Sequence, residues 1–513
     1  MIPFTRSLLL LSLSLSLGVA HIGDTFAQAP APVPPRGQLL ENPPQKLGSY
    51  TVADLLGRIA DGTVTQWLIT ESTAQECTVD VYQIRYGTIG SAGEPTTASG
   101  ALMVPSGTPA DCQGPRPIAM YAHGKRNLQS INIADLDGDA EGVMIALSLA
   151  SAGYVVVAPN YAGYDTSTLP YHPFLHAAQQ SADMMDALAA ARTALAGTMV
   201  TDDGKLFITG YSQGGHVAMA THRAMQAAGM TVTASAPMSG PYAMSAFADA
   251  VFMGQVGKGS VEEFAMLASS YQHAYGNLFA DPAEMFAPQY VGAPDLFPST
   301  TSGDNLVAQG SLPPGALFND TPPSAELAPM TPATEPREFA AVFALGFGPD
   351  HLITNGFRQA YLQDAAAAPD EGFPDTTSGM PPANPAHPLR QALKDNDLRN
   401  WSPVAPVQLC GGSDDPVVFF FNTELIQGYW AANAPGSQVT TLDVDLAPSA
   451  EGPYPEIRQR FAQAKRLIGT ISVIDGAKDG GRSAVLENYH DVLVPAFCMQ
   501  ATRSFFDELA AAP

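Results

Sequence analysis

The sequence predicts an α/β fold with a mostly parallel central sheet and helices on both faces. Two apolar runs typical of buried strands, 154–158 and 205–209, each precede a helical pattern, at 177–196 and 215–225. Strands that alternate with helices indicate parallel strands joined by helical crossovers. The glycine-rich turn at 210–214 connects the second strand directly to its helix. In such a fold, ligands bind beyond the carboxyl ends of the strands.

The individual elements follow from the same patterns in chain order. Residues 78–86 alternate well enough to form a strand, and with 98–104 they predict an antiparallel pair across a turn at 87–95. The other strands are predicted at 117–122, 154–158, 205–209, 232–236 (continuing to Met238) and 407–409, and helices at 52–60, 142–152, 177–196, 215–225 and 419–431.

Composition limits the classes of partner. The 513 residues include 24 Lys and Arg against 49 Asp and Glu, which gives a formal net charge of −25. This excess of negative charge argues against nucleic acid and anionic membrane surfaces as partners. Hydrophobic residues make up 46% of the chain, enough for a sizeable core. The sequence leaves the oligomeric state open.

The N-terminus has the pattern of an export signal. Arg6 precedes an uncharged Leu- and Ser-rich run at 8–19, and Ala27 offers a cleavage point. That run is short for a membrane span, and no later segment is long and apolar enough to cross a bilayer. We therefore expect a cleaved signal peptide at 1–29, a secreted or periplasmic location and no stable membrane insertion. The Pro- and Ala-rich stretch 30–45 predicts a tether.

Two long stretches interrupt the alternation of strands and helices. The first contains helical pieces at 261–275 and 337–347 and predicts a cap, and the second runs from 446 to 488 with a charged helix at 456–467. The chain therefore divides into a signal peptide at 1–29, a tether at 30–45, a core at 46–244 and 404–513, and a cap at 245–403.

The turn at 210–214 reads Gly-Tyr-Ser-Gln-Gly, the pattern of a nucleophile elbow between a strand and a helix. So tight a turn admits only small flanking residues and lifts the Ser212 hydroxyl above the sheet edge. It also directs the N-terminus of the next helix at developing negative charge. Because glycine-rich chains produce this pattern by chance, the alternative is a Gly-Ser loop without chemistry.

A serine nucleophile needs a base, and the base needs an orienting acid. With an elbow serine, the acid follows a late strand and the histidine comes last in the chain. Asp414 and Asp415 both follow the strand at 407–409. Asp415 precedes Pro-Val-Val and is the preferred acid. His490, the one histidine after Asp415, is the predicted base. The alternatives are solvated turn aspartates and a surface histidine.

An oxyanion site requires two backbone N–H groups. The predicted donors are Gln213, directly after the serine, and Lys125, in the loop after the strand at 117–122. His123 is expected to orient that loop, and His172 is a candidate for the pocket lining. The sequence holds no phosphate-binding loop, dinucleotide fingerprint or zinc motif, so we infer neither cofactor nor metal.

Four cysteines in an exported chain favour disulfides over the alternative of buried thiols. Cys410 ends the strand that delivers Asp415, and Cys498 lies about two helical turns beyond His490. A bridge between them would clamp the acid loop to the base loop. Cys77 and Cys112 would then tie the first strand to the loop before Pro117.

At this point the sequence resembles the secretory lipase family of α/β-hydrolases, known from fungi and bacteria. The matching stretches are Tyr-Ala-His-Gly at 121–124, Val-Ala-Pro-Asn-Tyr-Ala-Gly at 157–163 with His-Pro-Phe at 172–174, the elbow at 210–215, Met-Ser-Gly-Pro-Tyr at 238–242, and Trp-Ser-Pro at 401–403 leading to Asp415. The likeness extends discontinuously from Tyr50 to Leu509. It implies an α/β-hydrolase fold, a cap after the strand that follows the elbow helix, and hydrolysis of lipid or other acyl esters.

The sequence departs from the family pattern in two places. Asn160 stands where an aspartate is expected, and the insertion before His490 is unusually long. Both departures leave Ser212, Asp415 and His490 intact, and they leave the identity of the substrate open.

These residues together predict a serine hydrolase that cleaves a small-molecule or lipid ester. An exopeptidase on the same fold is one alternative, which a charged clamp for a substrate terminus in the cap would favour. A non-catalytic binding protein is the other, and the intact Ser, Asp and His argue against it. Apolar cap residues are candidates either for an acyl tunnel or for the cap's own core: Phe252, Met253, Phe264, Leu267 and Tyr271.

Overall fold

The computed structural model describes residues 34–59, 77–370, 379–448 and 451–511, so the predicted signal peptide lies outside the described residues. A nine-stranded sheet forms the centre, in the order β1-β2-β3-β5-β4-β6-β7-β8-β9. The strands are β1 (Gln45–Tyr50), β2 (Thr78–Ile89), β3 (Pro95–Ser106), β4 (Gly114–Ala122), β5 (Val155–Pro159), β6 (Val200–Tyr211), β7 (Ala234–Met238), β8 (Val407–Gly411) and β9 (Val439–Asp443). Strands β1, β2, β3 and β5 pair antiparallel in succession, and all other pairs are parallel.

Helices cover both faces of this sheet, as the sequence predicts. Leu188 and Val217 pack one face, whereas Ile145, Phe461 and Phe497 pack the other. The helices are α1 (Val52–Leu56), α2 (Ala140–Ser148), α3 (Ala177–Leu195), α4 (Gln213–Ala227), α5 (Met244–Phe252), α6 (Ser260–Tyr275), α7 (Gly303–Ala308), α8 (Ala340–Leu345), α9 (Asn355–Ala367), α10 (Pro388–Asn396), α11 (Phe421–Asn433), α12 (Pro455–Ile474), α13 (Arg482–Asn488) and α14 (Val494–Ala510). The fold class predicted from the sequence is therefore confirmed.

The central strands are recognisable in the sequence because they are buried on both faces. All five residues of β5 are buried, and they read Val-Val-Val-Ala-Pro. A strand covered by helices on both sides needs a continuous apolar run rather than an alternating one. The two strands missing from the prediction, β1 and β9, lie at the sheet edges and are only partly buried, so neither has such a run.

The predicted tether is described from residue 34 onward, and this part lies against the sheet. Leu39 is buried and forms a bridge with Tyr86 of β2. The Arg36 Nε atom lies 3.0 Å from Asp186 Oδ2 on α3. The described part of the stretch thus packs on the core instead of extending freely, because Leu39 removes apolar surface from water and Arg36 meets an acidic partner.

A large, mainly helical insertion, the cap, connects β7 to β8 and contains α5 to α10. It has an apolar core of its own around Phe252, Phe286 and Tyr361. The buried Arg390 guanidinium pairs with Asp249 at 3.0 Å and with Asp364 at 2.8 Å, and thereby joins α5, α9 and α10. Such internal connections make the cap a defined structure and not a loose loop.

The second insertion forms α12 and α13 between β9 and the final helix. In the part of the chain that the structure describes, no helix is both long enough and apolar enough to span a membrane.

Candidate active site

Three parallel strands, β4, β6 and β8, end at the same edge of the sheet and supply the site. Ser212 follows β6, the loop with Lys125 follows β4, and Asp415 follows β8. This edge is the one at which a parallel sheet binds its ligands.

Ser212 lies in a strained turn between β6 and α4. Its backbone has φ 59° and ψ −120°, a conformation that L-residues rarely adopt and that costs about 1–3 kcal/mol. A Cβ atom on Gly214 would lie 1.9 Å from the Ala122 carbonyl oxygen, and one on Gly210 would lie 2.4 Å from that of Gly214. The two flanking glycines are therefore required for the turn to pack against the end of β4.

A chain of hydrogen bonds connects the three predicted residues. The Ser212 hydroxyl lies 2.8 Å from His490 Nε2, and His490 Nδ1 lies 2.7 Å from Asp415 Oδ2. The second oxygen of Asp415 accepts the backbone N–H groups of Val417 and Val418 at 2.9 and 3.1 Å. Asp415 is thus fixed on both sides, and Nδ1 of the imidazole carries its proton toward the carboxylate.

Two neighbouring aspartates follow β8, and they face different partners. Asp415 is almost completely buried against His490. Asp414 is half exposed and pairs with Lys465 of α12 at 3.1 Å. The orientation of the turn therefore separates the two residues, which the sequence alone could rank only by the Pro-Val-Val that follows Asp415.

His490 lies on a π-helical turn, Tyr489–Leu493, instead of the predicted loop. The Val494 N–H bonds to the Tyr489 carbonyl, five residues back, so the backbone is wider here than in an α-helix. The Tyr211 hydroxyl donates to the His490 carbonyl at 2.5 Å and anchors the turn to the elbow. Single π-helical turns of this kind occur frequently at functional sites.

The surroundings of His490 change its basicity. Burial alone lowers the pKa of the imidazole, but the negative charge and hydrogen bond of Asp415 oppose this effect, aided by Asp491 and Glu263. The net result is a pKa above the ordinary value of 6.5. A histidine with raised basicity is suited to accept the serine proton.

The predicted oxyanion donors lie next to the serine. Gln213 is the first residue of α4, where backbone N–H groups have no partner within the helix. A Cβ atom on Gly124 would lie 3.8 Å from Ser212 Cβ, so the β4 loop adjoins the nucleophile. Gly124 gives its own N–H to Glu141 at 3.1 Å. This leaves the N–H of Lys125 as the candidate from that loop.

The Gln213 side chain forms a buried hydrogen bond that the sequence does not predict. Its amide Nε2 donates to His172 Nε2 at 2.7 Å, and the Nδ1–H of His172 donates to the Ala162 carbonyl at 3.0 Å. Burial lowers the pKa of His172 to about 3, so this imidazole stays neutral and can accept the amide proton. His172 therefore lies behind Gln213 and fixes its orientation. His123 contacts the Gly124 and Asn160 carbonyls, as expected of a residue that orients the loop.

Ser212 lies where two cavities of different polarity meet. The first reaches beneath α5 and α6, and Gln213 contributes to it. Lys125, Ser260 and Glu263 also line it, and its remaining walls are apolar, among them Phe174, Leu175, Met244, Phe247, Val251, Phe252, Phe264, Leu267, Leu317, Leu389, Leu393 and Val418. The second is a more polar cleft on the side of His490. Its charged walls are Arg58, Lys125, Arg126, Glu141, Lys258, Glu262, Glu263 and Asp491.

The cap residues named from the sequence divide into two groups. Phe252, Phe264 and Leu267 line the apolar cavity. Met253 and Tyr271 are not among its walls, and the Tyr271 hydroxyl donates instead to the Leu175 carbonyl. Both therefore belong to the packing of the cap.

Two disulfides join the pairs of cysteines that the sequence suggests. Cys410 of β8 is bonded to Cys498 of α14, and Cys77 is bonded to Cys112. The first bridge connects the strand that ends before Asp415 to the helix that begins after His490. It therefore limits the relative movement of acid and base.

The fold is similar to that of solved esterase structures. The rice cell wall degrading esterase LipA from Xanthomonas oryzae is 28% identical, with a TM-score of 0.62, over 89% of this chain and 100% of that chain. Its ligand-bound form is 27% identical with a TM-score of 0.61, over 90% of this chain and 99% of that chain.

The chain has the α/β-hydrolase fold.

Other comparisons agree on the fold. A protein from Legionella pneumophila has a TM-score of 0.61 at 17% identity over 92% of this chain and 98% of that chain, which supports the fold alone. The model of the prolyl oligopeptidase family matches residues 144–286, a segment that includes the elbow. The search of curated protein sequences found no match to this chain.

Proposed function

We propose that this α/β-hydrolase is an exported serine esterase that cleaves carboxylic esters of lipids or other acyl compounds. The observation that carries the proposal is the continuous hydrogen-bond chain from Ser212 through His490 to Asp415. The likeness to the esterase LipA supports ester cleavage. Two disulfides are compatible with an oxidising compartment outside the cytoplasm.

The reaction follows from the positions of these groups. His490 accepts the hydroxyl proton as Ser212 attacks the ester carbonyl, and the Asp415 carboxylate stabilises the imidazolium that forms. The Gln213 and Lys125 N–H groups hold the developing oxyanion. His490 then gives its proton to the leaving alcohol, and water releases the acyl group from Ser212 by the reverse sequence.

The two cavities suggest how the substrate is oriented. His490 must reach the leaving oxygen, and it lines only the polar cleft, so the alcohol belongs on that side. The acyl chain then enters the apolar cavity beneath α5 and α6. Burying each CH₂ group of the chain there contributes about 0.8 kcal/mol, so affinity should increase with acyl length until the cavity is full.

An exopeptidase is the second candidate, because the prolyl oligopeptidase model matches the segment around the elbow. The cap carboxylates that line the polar cleft, and could serve as a clamp for a peptide amino terminus, are Glu262 and Glu263. Lys125 already pairs with both carboxylates, at 3.3 and 3.6 Å, and competes with a substrate ammonium group. This competition favours the esterase.

A substrate panel tests the proposal. p-Nitrophenyl esters of increasing acyl length and aminoacyl p-nitroanilides would be compared by kcat/KM, with Ser212→Ala as the inactive control. The proposal predicts ester cleavage that depends on Ser212 and little anilide cleavage. A preference for the anilides would instead support the exopeptidase. If Ser212→Ala were as active as the wild type, both functions would be excluded.

A further inference from the structure

The loop after β4 is attached to the core through its backbone. The Tyr161 hydroxyl donates to the His123 carbonyl at 3.0 Å, and the Tyr164 hydroxyl donates to the Arg126 carbonyl. These bonds lie on either side of Lys125. The peptide that carries the Lys125 N–H is held at its Gly124 carbonyl by His123 Nδ1 at 2.6 Å. The Lys125 side chain extends from this held backbone toward the cap.

The same loop is attached to the cap through Glu262 of α6. The Glu262 Oε2 atom accepts a hydrogen bond from Asn127 Nδ2 at 2.6 Å and lies 3.3 Å from Lys125 Nζ. Two further backbone bonds join the loop to the cap at Ser299, whose N–H donates to Asn127 and whose carbonyl accepts from Gln129, both at 2.8 Å. The loop therefore contacts the core on one side and the cap on the other.

The missing side chain of Gly303 leaves the space that the Glu262 carboxylate occupies. A Cβ atom on Gly303 would lie 1.9 Å from Glu262 Oε1, so any larger residue would displace the carboxylate. The neighbouring Glu263 also pairs with Lys125, but at 3.6 Å, and Asn127 donates to Glu262 rather than to it. Glu262 therefore lies closer to Lys125 than Glu263 does, and it alone of the two also accepts a hydrogen bond from Asn127.

We propose that Glu262 is a positioning residue that holds the Lys125 backbone N–H at the oxyanion site and thereby makes catalysis depend on the seating of the cap. The proposal rests on the proposed esterase function, in which Lys125 is an oxyanion donor. Glu262 touches no reacting atom and acts through the side chains of Lys125 and Asn127. Its effect should therefore fall on the transition state more than on substrate binding.

Glu262→Ala in the full-length enzyme tests this proposal. We expect kcat for p-nitrophenyl butyrate to fall about tenfold with little change in KM. Complete loss of an oxyanion donor lowers kcat by about 10²–10³-fold. The loss should be smaller here because the donor is displaced but not removed. The rate of inactivation by a p-nitrophenyl phosphonate should fall in parallel, because the phosphonyl oxygen occupies the same site. Glu262→Gln keeps the acceptor for Asn127 and should recover part of the loss.

Two controls separate positioning from folding. Glu326→Gln changes an exposed cap carboxylate and should leave kcat and the inactivation rate unchanged. If Glu262 acts through the loop side chains, adding Glu262→Ala to the double variant Lys125→Met/Asn127→Ala should cause no further loss of kcat. If Glu262→Ala lowers kcat by the same factor in the double variant as in the wild type, Glu262 acts independently of the loop side chains, and the proposal is overturned.

The result also distinguishes this proposal from the function on which it rests. Wild-type protein that neither turns over esters nor reacts with the phosphonate would refute the esterase. An active wild type with an unchanged kcat in Glu262→Ala, even with a lower Tm, would refute the positioning function alone.

Discussion

Replacement of Asp415 by asparagine tests the arrangement of acid and base. In the structure, one oxygen of Asp415 accepts the N–H groups of Val417 and Val418, and the other accepts the Nδ1–H of His490. An asparagine of the same shape would direct its carbonyl oxygen at the two N–H groups, because they need an acceptor. Its NH₂ group would then face Nδ1 and force the imidazole proton onto Nε2, the atom that must accept the Ser212 proton.

The magnitude follows from this change of tautomer. The same substitution in a serine-protease triad, which preserves the geometry, lowers kcat by about 10⁴. At 1.36 kcal/mol for each factor of ten, this corresponds to about 5.4 kcal/mol of lost transition-state stabilisation. We expect a loss of this order in kcat for Asp415→Asn, measured with p-nitrophenyl butyrate, and little change in Tm, because the side-chain volume is conserved.

Asp414→Asn is the matched control. It removes a partly exposed ion pair with Lys465, and such pairs contribute about 0–1 kcal/mol. This variant should retain kcat within about threefold, about 0.7 kcal/mol on the same scale. A large loss in Asp414→Asn together with a small one in Asp415→Asn would show that the reasoning assigns the acid incorrectly.

Three further predictions concern pH, stability and the substrate. Since His490 must be neutral to accept a proton and its pKa is raised, kcat/KM should fall on acidification with a midpoint above pH 6.5, and a midpoint below this value would contradict the described surroundings. Replacing both Cys410 and Cys498 by serine opens a loop with a sequence separation of 88 and should lower the free energy of unfolding in urea by roughly 4 kcal/mol, whereas an unchanged value would mean that the bridge adds no stability. Leu267→Trp should lower kcat/KM for octanoyl esters about tenfold, or 1.4 kcal/mol, while acetyl esters are still cleaved. A uniform loss over all acyl lengths would place Leu267 in the cap's own packing.

The sequence was most informative where chemistry restricts the choice of residue. The glycines of the elbow are required by carbonyl groups within 2.5 Å of their missing side chains, so the turn was recognisable without any structure. The same holds for β5, whose burial on both faces demands an apolar run. The edge strands β1 and β9 escaped prediction because a partly exposed strand permits most residue types.

Contacts between segments that are far apart in the chain could not be predicted from the sequence. The hydrogen bond from the Gln213 side-chain amide to His172 and the contact of Glu262 with Asn127 join residues 41 and 135 positions apart, and no local pattern marks them. The π-helical turn at His490 also depends on its neighbours, since Tyr211 of β6 anchors it. Asp415 was preferred by the residues that follow it, but only the direction of the turn places it against the histidine.

Ser212 is the nucleophile in the proposed reaction, and covalent labelling would identify it. The purified protein would be inactivated with a p-nitrophenyl phosphonate, digested and analysed by mass spectrometry, with Ser212→Ala treated in parallel. We expect one adduct, on the peptide that contains Ser212, and it should form at the rate at which ester hydrolysis is lost. An adduct on another serine, or loss of activity without an adduct on Ser212, would contradict it.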